Sequence, residues 1–216
     1  MTMYLRRKST SLSFAAPTCG ATREATTQER GFTILELVVV MTVIMIISAV
    51  ALPSFLQAYR TYQLDDAATQ VAGVLKFTRY EAIRLNVTAA APLAARTLVT
   101  AAGTNVYTDS NNSSTLQVTE KQILFSRNVN LVGAGIPPNT AGLAAAVGVA
   151  ALTNIALNAG SIAFDQRGAV VPAAVNVLYV GNTQLPNLGN RAVIVLPSGS
   201  VQTWSADAAG NWRQLN

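Results

Sequence analysis

Residues 32–52 form an apolar run of 21 residues with a single charge, Glu36. As a helix at about 1.5 Å per residue this run is about 31 Å long, close to the hydrocarbon thickness of a bilayer. A helix buried in a soluble core is seldom apolar on every face over such a length. A secretory signal has a shorter apolar region and a small-residue cleavage site on its far side. Here the far side reads Ala51-Leu52-Pro53-Ser54-Phe55-Leu56, which fits that pattern poorly. The run predicts a transmembrane helix over residues 32–53. Arg6, Arg7, Lys8, Arg23 and Arg30 precede it, and the next basic residue is Arg60. The positive-inside tendency places the N-terminus in the cytoplasm and the C-terminal body on the other side.

Helical character is expected to continue past the membrane. Pro53 removes one backbone hydrogen bond and is expected to kink the helix. Leu64, Ala68, Val71 and Leu75 then recur at helical spacing and mark one apolar face, with Asp66, Lys76, Glu81 and Arg84 directed elsewhere. This predicts an amphipathic continuation over residues 54–86, ending near Ala89-Ala90-Ala91-Pro92. Residues 87–216 read as a β-rich globular domain. Candidate strands are 115–119, 122–126, 128–132, 161–165, 175–180, 191–196 and 200–204, separated by turn-formers such as Asp109-Ser110-Asn111-Asn112-Ser113-Ser114. The continuous apolar residues Val193, Ile194, Val195 and Leu196 suit a sheet covered on both faces. An insertion over about 133–160, rich in Ala and Gly, fits either a long loop or a short helix. The fold class expected is α+β: a long N-terminal helix packed on an antiparallel β-sheet domain.

Several chemistries are disfavoured. The chain has no histidine, and its one cysteine is Cys19, so no intramolecular disulfide can form. There is no Ser–His–Asp set, metal-ligand cluster or phosphate-binding loop, so neither enzyme activity nor a cofactor or metal is expected. Asp65-Asp66 reads as a solvated helix face. The net charge is +5, of which residues 1–31 carry +3, leaving a body too near neutrality for bulk binding of nucleic acid. The tail holds Trp204 and Trp212 but only Arg213 for a phosphate, which argues against nucleic acid as a partner.

The most specific segment is Arg30-Gly31-Phe32-Thr33-Ile34-Leu35-Glu36-Leu37. A basic residue and a glycine stand at the boundary, an aromatic opens the apolar run, and a lone carboxylate lies five residues in. A carboxylate at mid-bilayer costs about 2.5–3.5 kcal/mol on insertion scales, so its presence asks for a partner. This segment resembles the processing site of type IV prepilins and type II secretion pseudopilins. The resemblance implies that a leader, residues 1–31, is removed between Gly31 and Phe32 by prepilin peptidase on the cytoplasmic side. It implies N-methylation of Phe32, and that Glu36 forms an assembly salt bridge with the Phe32 ammonium of a neighbouring subunit. Pro53 matches the family's proline at the membrane exit. Two features depart from the family pattern: the leader is long, and it carries Glu24 and Glu29.

A second resemblance lies in the body. Ser161-Ile162-Ala163-Phe164-Asp165-Gln166-Arg167-Gly168, the stretch from Arg191 to Gly199 and the strand ending at Trp204 are similar to H-type minor pseudopilins and FimT-like minor pilins. Gly168 and Gly199 equally suit plain turns, and Phe164 a core position. The function implied is a minor pseudopilin of a type II secretion pseudopilus; the alternative is a FimT-like minor pilin that primes a type IV pilus or serves adhesion or DNA uptake. The implied partners are prepilin peptidase, other pseudopilins or pilins, an inner-membrane assembly platform and membrane lipid. The implied location is the inner membrane, single-pass, with a periplasmic body.

Overall fold

The computed structural model describes residues 31–100, 102–126, 128–133, 135–155 and 160–215. The leader up to Arg30 lies outside the described residues. Residues 1–46 and 47–216 form two units, and each is described by itself.

One helix, α1, runs from Ile34 to Arg84 over 51 residues and passes through Pro53 without ending. Thr33 caps it: the Thr33 hydroxyl accepts the Glu36 N–H at 3.2 Å, satisfying one of the donors that a helix start leaves unpaired. From residue 47 to residue 60 every side chain but Ser48 is exposed. The character changes at Leu64. From there Leu64, Ala67, Ala68, Val71, Val74, Leu75, Thr78, Glu81 and Ala82 form one buried stripe at spacings of three and four. Leu64, Ala68, Val71 and Leu75 thus face the core. Glu81 does too, contrary to its expected outward direction; Arg84 holds its carboxylate at 2.7 Å.

Under this stripe lie two sheets. The first has the order β3-β2-β1-β6-β7, from Gln122–Leu124, Asn105–Asp109, Arg96–Val99, Ser161–Phe164 and Val170–Val171. The second has the order β11-β10-β9-β8-β4, from Trp212–Gln214, Val201–Ala206, Asn190–Val195, Asn176–Asn182 and Val129–Val132. All pairs on these two paths are antiparallel; the short β5, Thr153–Asn154, adds one parallel pairing to β8. The expected helix on antiparallel sheets is therefore present. Three of the principal strands, β1, β2 and β11, were not among the expected ones, and 115–119 is irregular rather than a strand.

Both sheets send side chains into one core with α1. Val99, Val106, Ile162 and Phe164 come from the first sheet, and Leu178, Val180, Val193 and Val195 from the second. The second sheet also has a buried outer face. There Val177, Tyr179, Ala192, Ile194 and Trp204 pack with Leu143, and Val147 lies against them. Leu143 and Val147 belong to α2, Thr140–Val147, inside the Ala/Gly-rich insertion. Asn139 caps α2 by accepting the Gly142 N–H at 3.0 Å, and Gly148, at φ +77°, ends it. The insertion is thus a helical lid on the sheet, which explains why β8 and β9 are buried at every residue.

Candidate functional site

The processing segment is presented in the open. Gly31 and Phe32 precede α1 outside any helix or strand, and Phe32 is 78% exposed. Thr33 is the helix cap, and Phe32 stands one residue before it. Glu36 is the third helical residue, and Thr33-x-x-Glu36 has the spacing of a capping box. The sequence reading missed Thr33 as the cap, which takes the Glu36 backbone N–H rather than its carboxylate. Among the described residues no hydrogen bond or ion pair holds the Glu36 carboxylate itself. A carboxylate in the first turn is favoured by the helix dipole, and its side chain is exposed, free to meet a cation from another molecule.

The second set of sequence-selected residues is structural. Phe164 is fully buried in the core. Gly168 and Gly199 both hold left-handed backbone, at φ +75° and +77°. A Cβ on Gly199 would collide with the Gly168 carbonyl, so the two turns are in contact. Arg79 of α1 reaches both: its Nε donates to the Gly168 carbonyl at 3.0 Å, and its Nη2 lies 3.5 Å from the Ser198 carbonyl. These residues fasten the helix to the ends of β6 and β9. Asp65 also departs from the solvated-face reading. Its Oδ1 accepts the Arg191 Nε at 2.5 Å, which neutralises an arginine only 5% exposed at its side chain. Both tryptophans of the tail make contacts within the body. Trp204 is buried, and Trp212 stacks obliquely on Tyr179 at 6.2 Å while donating to the Asn139 carbonyl at 3.0 Å.

Among the described residues no three His, Cys, Asp or Glu side chains gather as a metal cage. One described helix, Ile34–Arg84, is long and apolar enough to cross a membrane by length and composition.

Comparison with known proteins bears on the N-terminus. Residues 26–52 match a family model described as the prokaryotic N-terminal methylation motif. The chain therefore carries a prokaryotic N-terminal methylation motif over these residues. The matched segment contains Gly31, Phe32, Glu36 and the whole apolar run. No curated protein matches this chain. Two crystal structures of the type IV minor pilin FimU from Pseudomonas aeruginosa PAO1 are loosely similar. One, in space group P65, has 12% identity and a TM-score of 0.43, covering 65% of this chain and 91% of that one. The other, in P21, has 12% identity and a TM-score of 0.35, covering 72% and 90%. The fold described above rests on this chain's own hydrogen bonding and packing.

Proposed function

We propose that the chain is a filament subunit, cut between Gly31 and Phe32 by prepilin peptidase, N-methylated at Phe32, and assembled through its apolar helix. The observation that carries this reading is the match over residues 26–52, in which a glycine, an aromatic and a lone glutamate stand at the head of a membrane-length run. Cleavage would create an ammonium at Phe32. In the bilayer, the Glu36 carboxylate of one subunit and the Phe32 ammonium of its neighbour would stabilise each other, while either alone is penalised. Processing would thereby generate the charge that assembly needs. The helix would cross the inner membrane once, with its N-terminus cytoplasmic and its body periplasmic, docking on an inner-membrane assembly platform.

Within this class we favour a minor pseudopilin of a type II secretion pseudopilus. The support is the resemblance of the segment from Ser161 to Gly168 and of the hairpin around Gly199 to H-type minor pseudopilins. No cysteine lies beyond Cys19 to close the C-terminal loop found in many major pilins. N-terminal mass spectrometry of the membrane-extracted protein tests the class. The expected start is N-methyl-Phe32; a start at Met1 or a cut beyond Leu52 overturns it. Glu36→Ala is expected to be cleaved normally and to enter sheared filaments at least about tenfold less. Deleting the gene distinguishes the subclass: loss of protein export with surface pili intact supports the pseudopilin reading, and the reverse supports a minor pilin.

A further inference from the structure

Between β2 and β3 the chain passes through residues 109–120, Asp-Ser-Asn-Asn-Ser-Ser-Thr-Leu-Gln-Val-Thr-Glu. The ladder fixes its two ends. Tyr107 lies opposite Gln122, and the Thr108 N–H donates to the Lys121 carbonyl at 2.8 Å. One further step of that register sets Asp109 opposite Glu120. Directly opposed residues of an antiparallel pair share a face, with Cβ atoms about 4.5–5.5 Å apart. Both side chains are buried, Asp109 being 0% and Glu120 8% exposed as residues.

Their charges are not balanced. Arg96 Nε and Nη2 donate to Asp109 Oδ2, each at 3.2 Å. Among the described residues no cation pairs with Glu120. Glu120 Oε2 accepts the Gln117 N–H at 3.0 Å, which turns the carboxylate back over the loop, and Oε1 is buried with no partner at all. One guanidinium thus serves Asp109, and none pairs with Glu120. The surplus negative charge, sealed from water, is costly unless a cation joins it. Tyr107 senses the same field: burial first, then the charges of Asp109 and Glu120, push its phenol above its ordinary value.

Neutral oxygens stand between the two carboxylates at every second residue. Asn111, Ser113, Thr115 and Gln117 occupy the third, fifth, seventh and ninth places of a twelve-residue loop that begins at Asp109 and ends at Glu120. They converge. Asn111 Nδ2 donates to Gln117 Oε1 at 3.1 Å, and Ser113 Oγ donates to the Thr115 carbonyl at 3.0 Å. Asn112 and Ser114, both at φ +59°, provide the turns that bring them round. Asp109 Oδ1 accepts only the Ser113 N–H, at 3.1 Å, so a lone pair remains available while Arg96 retains Oδ2.

We propose that residues 109–120 form a calcium site, with Asp109 and Glu120 as charged ligands and Asn111, Ser113, Thr115 and Gln117 supplying neutral oxygens. The spacing is that of the twelve-residue calcium loop found between helices, here closed by a β-hairpin. Serine replaces the usual acidic or amide residue at the fifth place and the glycine at the sixth. With two carboxylates in place of four, affinity falls in the ~0.1–1 mM class of extracellular calcium modules. Magnesium, smaller and reluctant to shed water, fits a flexible loop of this kind less well.

The test is a calcium chloride titration of the full chain in a non-ionic detergent, followed by calorimetry, thermal melting and terbium luminescence sensitised by Tyr107. One saturable site per chain is expected, with a calcium-dependent rise in Tm and at least about tenfold weaker binding of magnesium. Glu120→Gln relieves the surplus charge, so it should melt no lower than wild type without calcium, yet lose the calcium response and at least about tenfold in affinity. Should that variant fail to fold, Asn111→Ala, at an exposed position, carries the test and should weaken binding several-fold. Absence of saturable binding up to about 10 mM, or equal binding by wild type and variant, overturns the proposal. Neither result depends on how the N-terminus is processed.

Discussion

The two sheets share the apolar face of α1 and differ in what covers their other side. The second sheet has α2 over it. Its central strands are apolar in both directions, and the charge it buries, Arg191, points to the α1 side, where Asp65 meets it. The first sheet has a polar loop over it. Leu98 and Tyr107 lie beside Arg96 and Asp109, and Ser114 of the loop bonds to both Arg96 and Tyr107. Even its inner face carries hydroxyls. Thr78 of α1 donates to the Val74 carbonyl at 2.9 Å and meets the hydroxyls of Thr97 and Thr108 at 2.7 and 2.8 Å. A helical lid permits a dry sheet, whereas a loop lid brings backbone and polar side chains that must find partners. One sheet is therefore held mainly by packing and the other largely by hydrogen bonds and an ion pair.

The contrast can be broken most forcefully at Asp109. Asp109→Ala strands Arg96 and the Ser114 N–H and should cost about 3–5 kcal/mol in denaturant unfolding, with amide protection lost first in β1 and β2. Equal loss of protection in both sheets would show that they do not differ in this way. Leu143→Ala attacks the other sheet. It should cost about 2–5 kcal/mol and red-shift the emission of Trp204 and Trp212, leaving the first sheet protected. Thr78→Val keeps shape but removes the shared hydroxyl, which leaves Thr97 and Thr108 short of a partner; about 1–3 kcal/mol is expected.

The smallest effect is alkaline. Burial pushes up the phenol of Tyr179 in the second sheet; burial helped by Asp109 and Glu120 does so for Tyr107 in the first. A raised phenol contributes stability that is complete below the ordinary value of about 10 and is lost as pH rises through the raised one. Tyr179→Phe should flatten the alkaline decline without regard to calcium. Tyr107→Phe should flatten it in a way that calcium also does, because the cation would offset the two carboxylates.

The parts of the fold legible in the sequence were those with strong periodicity. The helix was readable through Leu64, Ala68, Val71 and Leu75. β8 and β9 were readable as continuous apolar runs. β1 and β2 were not, because Arg96, Thr97, Asn105, Thr108 and Asp109 interrupt any apolar alternation, and Arg96, Thr97, Thr108 and Asp109 are acceptable only through partners on other elements. The spacing from Asp109 to Glu120 was visible in the chain but reads as a plain turn until the ladder brings its ends together. Arg79 and Asp65 carried no local signal at all.

What the sequence determined by itself is the N-terminal device: a glycine, an aromatic and a lone glutamate at the head of a membrane-length apolar run. These are local properties, set by transfer free energy and helix spacing. The tertiary structure alone decided which polar residues are safe to bury. Asp65 with Arg191, Arg79 with two turn carbonyls, and Asp109 with Arg96 are separated widely along the chain, and low-dielectric burial is tolerable only where such partners meet.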